Sequence, residues 1–279
     1  SKLKISVYAM LAPTEENFEF FYPQGPLHYP SLTISSIKLY SDGALGSRGA
    51  LLIEPYSDDP DNYGLQMYPQ EYYTEMCQRA YDAGYQVNTH AIGDSGNRIM
   101  LKTYAKFLKG KNDRRWRVEH AQIVHLDDIN FFKEYSIIPS VQATHCTSDM
   151  YWADERLGEE RLKTAYAYND LMNQLGWLVN GTDFPVEGIS PLHTYYASVA
   201  RKDAHGWPEE GFQTENALNR EDALRSITIW PAMGSFDEKR KGSIEISKKA
   251  DFVILDKDIV SIHENKILET KVISTFVNG

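Results

Sequence analysis

Gln86-Val87-Asn88-Thr89-His90 is a short run of strand character, and Trp116-Arg117-Val118-Glu119-His120 is another. Between them, Ser95–Leu108 carries apolar residues at helical spacing. A strand, a helix of one crossover's length and a second strand make a βα unit, which implies parallel strands. The same alternation continues outward on both sides. Further candidate strands are Lys4–Leu11, Ser35–Tyr40, Ile137–Ala143 and Trp177–Asn180. Further candidate helices are Gln70–Ala83, Asp127–Tyr135, Glu159–Leu175 and Pro191–Lys202. Six strands separated by helices predict an α/β fold with a helix-covered parallel sheet.

The composition fits that reading. The 279 residues are 42% hydrophobic and 24% charged, which is ordinary for a globular chain. Length leaves room for one large domain with a small appendage. Composition changes after about Lys239, where Gly242–Ile246, Ala250–Asp256 and Lys271–Val277 read as three short strands without long helices. They predict a small antiparallel β element over 239–279, after a βα domain over 1–238. A helix over Arg220–Met233, capped by Asn219, would bridge the two.

Charge excludes some partners. The balance of 29 basic and 39 acidic residues gives −10, without a basic stripe. Neither nucleic acid nor an anionic membrane surface is expected as a partner. No stretch reaches the 18 apolar residues a spanning helix needs. Two cysteines, Cys77 and Cys146, make no disulfide framework and fit a reducing, cytoplasmic setting. Neither the dinucleotide-binding nor the P-loop glycine pattern is present.

In a parallel βα array the carboxyl ends of the strands share one face, so their polar residues converge. One candidate strand carries Lys38, followed by Asp42. The next three end in His90, His120 and His145, and the last leads into Asp183. Taken singly, each has an ordinary reading: a hydrogen-bonded core histidine, a salt-bridged lysine, a capping aspartate. Placed with Lys38 at five successive strand ends, three imidazoles and a carboxylate suit a borderline cation such as zinc. Lys38 joins such a set as a bridging ligand once carbamylation turns its amine into a carboxylate-like donor. His28, His125, His193, His205 and His263 lack this placement and are read as ordinary polar residues.

Several of these stretches resemble one family. Ile37-Lys38-Leu39-Tyr40-Ser41-Asp42-Gly43-Ala44-Leu45-Gly46-Ser47-Arg48-Gly49-Ala50 resembles a strand motif of the YtcJ-like amidohydrolases, the branch that includes N-substituted formamide deformylase. Thr89-His90-Ala91-Ile92-Gly93-Asp94, Val118-Glu119-His120-Ala121-Gln122 and Gly181-Thr182-Asp183-Phe184-Pro185-Val186 match in order, and Lys241–Glu245 with Lys249–Val253 resembles the family's return strands.

The resemblance implies a TIM-barrel (β/α)8 fold and a hydrolase of C–N bonds other than peptide bonds, acting on a small amide- or formamide-type substrate. It implies Lys38, His90, His120 and Asp183 as metal ligands, and Asp183 and His145 as catalytic residues. Arg48, Asp94, Gln122 and Asp149 would face the substrate. The divalent metal would be zinc, with one or two ions in the full-length enzyme and one or none in this chain. A metal-dependent deaminase of the same superfamily is the enzymatic alternative, with Lys38 arguing against it. A metal-free binding or assembly module is the alternative outside enzymes.

The family's first strand carries a His-x-His pair, and this sequence contains none. Lys4–Leu11 resembles the third strand of the barrel. The chain, which opens Ser1-Lys2-Leu3, is therefore read as a C-terminal piece with strands three to eight. Six strands leave two open edges, expected to be covered by another chain, a swap or rearranged segments, with a homo-oligomer as one way to cover them.

Overall fold

The structure is a computed structural model that describes residues 4–279. In chain order the strands are β1 (Val7–Leu11), β2 (Leu27–His28), β3 (Leu32–Tyr40), β4 (Gln86–Ala91), β5 (Arg117–His120), β6 (Ile138–Val141), β7 (Val179–Asn180), β8 (Phe252–Leu255) and β9 (Val272–Phe276). The helices are α1 (Glu15–Phe21), α2 (Gln70–Ala83), α3 (Asp94–Leu108), α4 (Asn130–Glu134), α5 (Ala143–Asp149), α6 (Ala153–Leu162), α7 (Tyr168–Leu175), α8 (Pro191–Ala200), α9 (Arg220–Ser226) and α10 (Ile229–Gly234). All six strands expected from the sequence are present. Their order is β1-β3-β4-β5-β6-β7, with β2 antiparallel on β3. Six parallel strands with intervening helices make an incomplete (β/α) barrel. The chain divides into two units, one running to Pro139 and including Ala153–Ala165, the other made of Ser140–Trp152 and Tyr166–Gly279.

In the first unit β3 is the longest strand and pairs with β1 on one side and β4 on the other, both parallel. α2 buries Tyr73, Met76, Cys77 and Ala80, one helical stripe, and ends at Gly84 with φ 79°. That left-handed cap is where a glycine fits without strain. α3 buries Asn97, Met100, Leu101, Tyr104 and Leu108 in the same manner. Each fully buried Leu or Met is worth about 1.5–3 kcal/mol of transfer free energy. The aromatic core also satisfies its polar atoms. Trp116 donates to the Tyr85 carbonyl at 3.2 Å, and the Tyr104 hydroxyl donates to the Arg117 carbonyl at 3.0 Å.

In the second unit the end of β6 pairs with β7, Ser140 opposite Val179 and Val141 opposite Asn180. Arg201 is fully buried there, with its guanidinium spent on the carbonyls of Phe212 and Tyr166 and on the Gln213 amide oxygen. The small sheet is an antiparallel pair, β8 with β9.

Four expectations change. The segment Glu159–Leu175 is two helices, because Thr164 and Ala165 leave the helix to bond Val124 and bridge Ile123. The helix over Arg220–Met233 is also broken. Asn219 does cap it, accepting from the Asp222 N–H at 2.9 Å, but Pro231 cannot extend a helix back through Ile227. β6 stops at Val141 and the chain turns into α5, so His145 stands on a helix. Gly242–Ile246 is not a strand; Ile244 and Ile246 are 87% and 99% exposed, and no strand among the described residues pairs with them.

Candidate functional site

In the first unit the ladder itself assembles the residues. Lys38 lies opposite Asn88, Tyr40 opposite His90, and His90 opposite Glu119. Residues in register on neighbouring strands share a face, so Lys38, Asn88 and His90 lie on one face. His120 is in register with Ala91, and strict alternation would send it to the other face. It does not go there. His120 and Ala121 have φ of 75° and 42°, which breaks the pleat at the strand end. The His120 ring thereby meets the His90 ring at 4.5 Å between centroids, 72° apart in plane. Tyr40 lies 5.6 Å from the His90 ring, and the Lys38 ammonium 5.0 Å from the Tyr40 ring.

Asp42 anchors this cluster, although sequence reading assigned it no role. It is buried and accepts N–H groups from Gly93 at 2.7 Å, Leu51 at 2.9 Å and Ile92 at 3.0 Å, and the Ser41 hydroxyl at 3.2 Å. Burial raises its pKa to about 7 against these donors. His90 Nε2 approaches its Oδ1 at 3.4 Å. The loops after β3 and β4 are thus tied together by one carboxylate. The tie leaves no slack: a Cβ on Gly93 would stand 2.0 Å from the Leu51 oxygen.

Asn88 carries a second signal. It is fully buried, and among the described residues neither its amide oxygen nor its nitrogen has a hydrogen-bond partner. An unsatisfied amide inside a sheet is costly. Its pattern in sequence, one polar residue two before a strand-end histidine, is the signal from which it is recoverable.

The expected substrate-facing residues of this unit have partners of their own. Arg48 grips Asp58 through two bonds of 3.0 and 2.8 Å, and Arg156 shares that carboxylate. Asp94 accepts from Ile53 N–H at 2.8 Å and Ser95 N–H at 2.9 Å, and burial holds its pKa above the ordinary value. Gln122 is buried just past β5.

In the second unit His145 Nε2 lies 3.8 Å from Asp183 Oδ2. His145 is buried, which lowers its pKa, while the charge of Glu187 pulls the other way. Asp183 follows the two-residue β7 in a turn with φ 53°, and its side chain is 39% exposed. Asp149, one helical turn after His145 on α5, accepts the Tyr166 hydroxyl at 2.8 Å.

A divalent metal needs several donors, and the fit of these residues is partial. Two imidazoles and Lys38 come together in the first unit. Among the described residues no group of three His, Cys, Asp or Glu forms a metal-binding set.

These features, an incomplete βα barrel with imidazoles at its strand ends, define the class of (β/α) barrels. The comparison with known proteins places the chain within it: it belongs to the amidohydrolase family, whose model matches residues 2–279. It is 37% identical over 89% of its length to Protein LONG AFTER FAR-RED 3 of Arabidopsis thaliana, of which it covers 42%. It is 32% identical over 90% of its length to the putative amidohydrolase YtcJ of Bacillus subtilis, of which it covers 47%. The structure of an uncharacterized metal-dependent hydrolase from Pyrococcus horikoshii superposes with a TM-score of 0.82 at 34% identity, over 93% of this chain and 52% of that one. The chain therefore spans about half the length of the relatives it matches. The resemblance read from the motifs is borne out, as is the incomplete barrel with a small antiparallel sheet. No helix among the described residues is long and apolar enough to cross a membrane.

Proposed function

We propose that this chain is part of a metal-dependent hydrolase acting on the C–N bond of a small amide- or formamide-type substrate, with residues 1–238 as the partial barrel and 239–279 as strands of a small β domain. The observation that carries the reading is the His90–His120 pair, rings 4.5 Å apart, with Lys38 on the same face as His90. His90, His120 and Lys38 are this chain's donors to a divalent metal, zinc in our reading. Asp183 adds a carboxylate ligand, and Lys38 acts as its carbamate. Such an ion, when bound, supplies polarisation of a carbonyl oxygen and acidification of a water.

The chain's own residues carry the proton chemistry. Asp183 accepts a proton from the attacking water and returns it to the leaving nitrogen, base first and acid second. His145 donates a hydrogen bond to the developing oxyanion. Burial favours its neutral form, against the opposing pull of the Glu187 charge. Arg48, Asp94, Gln122 and Asp149 border the substrate. Buried thiols at Cys77 and Cys146, free of disulfides, are consistent with a reducing, cytoplasmic setting.

The test is turnover on a panel of N-substituted formamides, amides and amidines. Amine and carboxylate release that is lost in Asp183→Asn and His120→Ala supports the reading. Unchanged turnover in Asp183→Asn overturns the shuttle. Ammonia released from amidines alone would favour a deaminase.

A further inference from the structure

The second unit holds a cavity of about 360 Å³ that the proposed chemistry does not use. That size lies within the range of small-molecule sites. One wall is α5 and the turn after it, through Thr144, Thr147, Ser148 and Tyr151. These positions are spaced three and four apart, a single helical stripe, whereas His145 and Asp149 lie on a different stripe of that helix. The opposite wall is α8 and the segment that follows it.

The charged groups divide into closed and open ones. Asp203 is closed: it accepts the Tyr151 hydroxyl at 2.5 Å, the His205 N–H at 2.8 Å and the Trp207 N–H at 2.9 Å. Glu187 is open, since one oxygen accepts the Ser148 hydroxyl at 2.6 Å and the other has no bond among the described residues. Lys202 is held by Glu264 at 2.7 Å, which leaves ammonium protons to offer. The imidazoles of His193 and His205 also line the cavity, and neither ring bonds any group among the described residues. Tyr196, Ala197 and Leu268 supply an apolar floor.

A lone anion would meet Glu187, and a lone cation would meet Lys202. Both signs are used only by a molecule that carries both. We propose that this cavity binds a zwitterionic α-amino acid with a large apolar side chain. Its ammonium meets Glu187, its carboxylate meets Lys202 and the two imidazoles, and its side chain lies on the Tyr196–Leu268 floor. The walls are preorganised for this. Arg201, buried at the end of α8, fixes the following segment through three bonds, and Asp203 pins its turn. A site ordered before its ligand arrives loses little entropy on binding.

The experiment is calorimetric titration of the purified chain with L-phenylalanine, 3-phenylpropionate and 2-phenylethylamine, repeated on Glu187→Gln and His193→Gln. Both variants are first checked for unchanged melting temperature, and the two sit on different segments, Glu187 half-buried and His193 exposed, so that one failing to fold leaves the other. L-phenylalanine is expected to saturate one site, and each half-probe to bind at least about tenfold more weakly. Glu187→Gln is expected to weaken L-phenylalanine by about tenfold and leave 3-phenylpropionate unchanged; His193→Gln is expected to weaken both. A half-probe as tight as L-phenylalanine, equal weakening of both probes by Glu187→Gln, or no saturation at about 10 mM would overturn the proposal. None of these readouts depends on metal or on turnover, so the outcome is separate from that of the hydrolase reading.

Discussion

The two units support their candidate residues in different ways. His90 sits in a strand bonded on both sides, to β3 and to β5, and its position follows from register. Asp183 follows a strand of two residues and sits in a partly exposed turn. The first arrangement fixes geometry through the backbone, and its residues carry stability as well as chemistry. The second leaves a side chain whose loss the fold barely feels. Mutations should separate the two.

The largest effect is expected at Asp42. Asp42→Leu strands three backbone donors inside the protein, and the cost should be about 3–5 kcal/mol in urea unfolding. A change below about 1 kcal/mol would mean that the loops after β3 and β4 are not tied through this carboxylate. Gly93→Ala comes next. Its methyl group would meet the Leu51 oxygen, and backbone must move, at about 1–3 kcal/mol. Asn88→Leu should act in the opposite direction. An unsatisfied amide replaced by an apolar group of similar shape should gain about 1 kcal/mol, read as a higher midpoint. Loss of stability there would show that the amide has a structural partner.

Asp183→Asn sharpens the contrast. Its effect on stability should stay within about 0.5 kcal/mol, as for exposed positions, while turnover on the amide panel is lost. The smallest effect is a pH dependence from Asp94. Burial raises its pKa in the fold above the ordinary 3.8, so the folded state holds the proton more tightly than the unfolded one. Its contribution is therefore full below about pH 4 and is lost as pH rises through the folded-state pKa. The stability of the parent protein relative to Asp94→Asn should fall over that rise, and a gap that widens instead would reverse the assignment.

Legibility in the sequence follows the same division. The six parallel strands were readable because each is a short apolar run between helical segments, and Lys38 and His90 followed as strand positions. The break between α6 and α7 at Thr164 and Ala165 was not readable, since a tertiary bond from the Val124 N–H to the Thr164 carbonyl and the bridge to Ile123 hold the chain out of the helix. Nor was the helical placement of His145, because Gln142-Ala143-Thr144 extends a strand as plausibly as it starts a helix. His120 was found for an incomplete reason. Spacing placed it at a strand end, but only its left-handed backbone turns it toward His90. Asp42 went unassigned because its partners are backbone N–H groups from Leu51, Ile92 and Gly93, which no side-chain pattern reveals.

The central claim is that the His90–His120 pair is this chain's contribution to a metal centre. Zinc titration by calorimetry, on the parent chain and on His90→Ala and His120→Ala, tests it most directly. The account predicts about one equivalent bound, with affinity reduced at least about tenfold by either substitution. Equal zinc binding by all three proteins, or none by the parent chain, would contradict it.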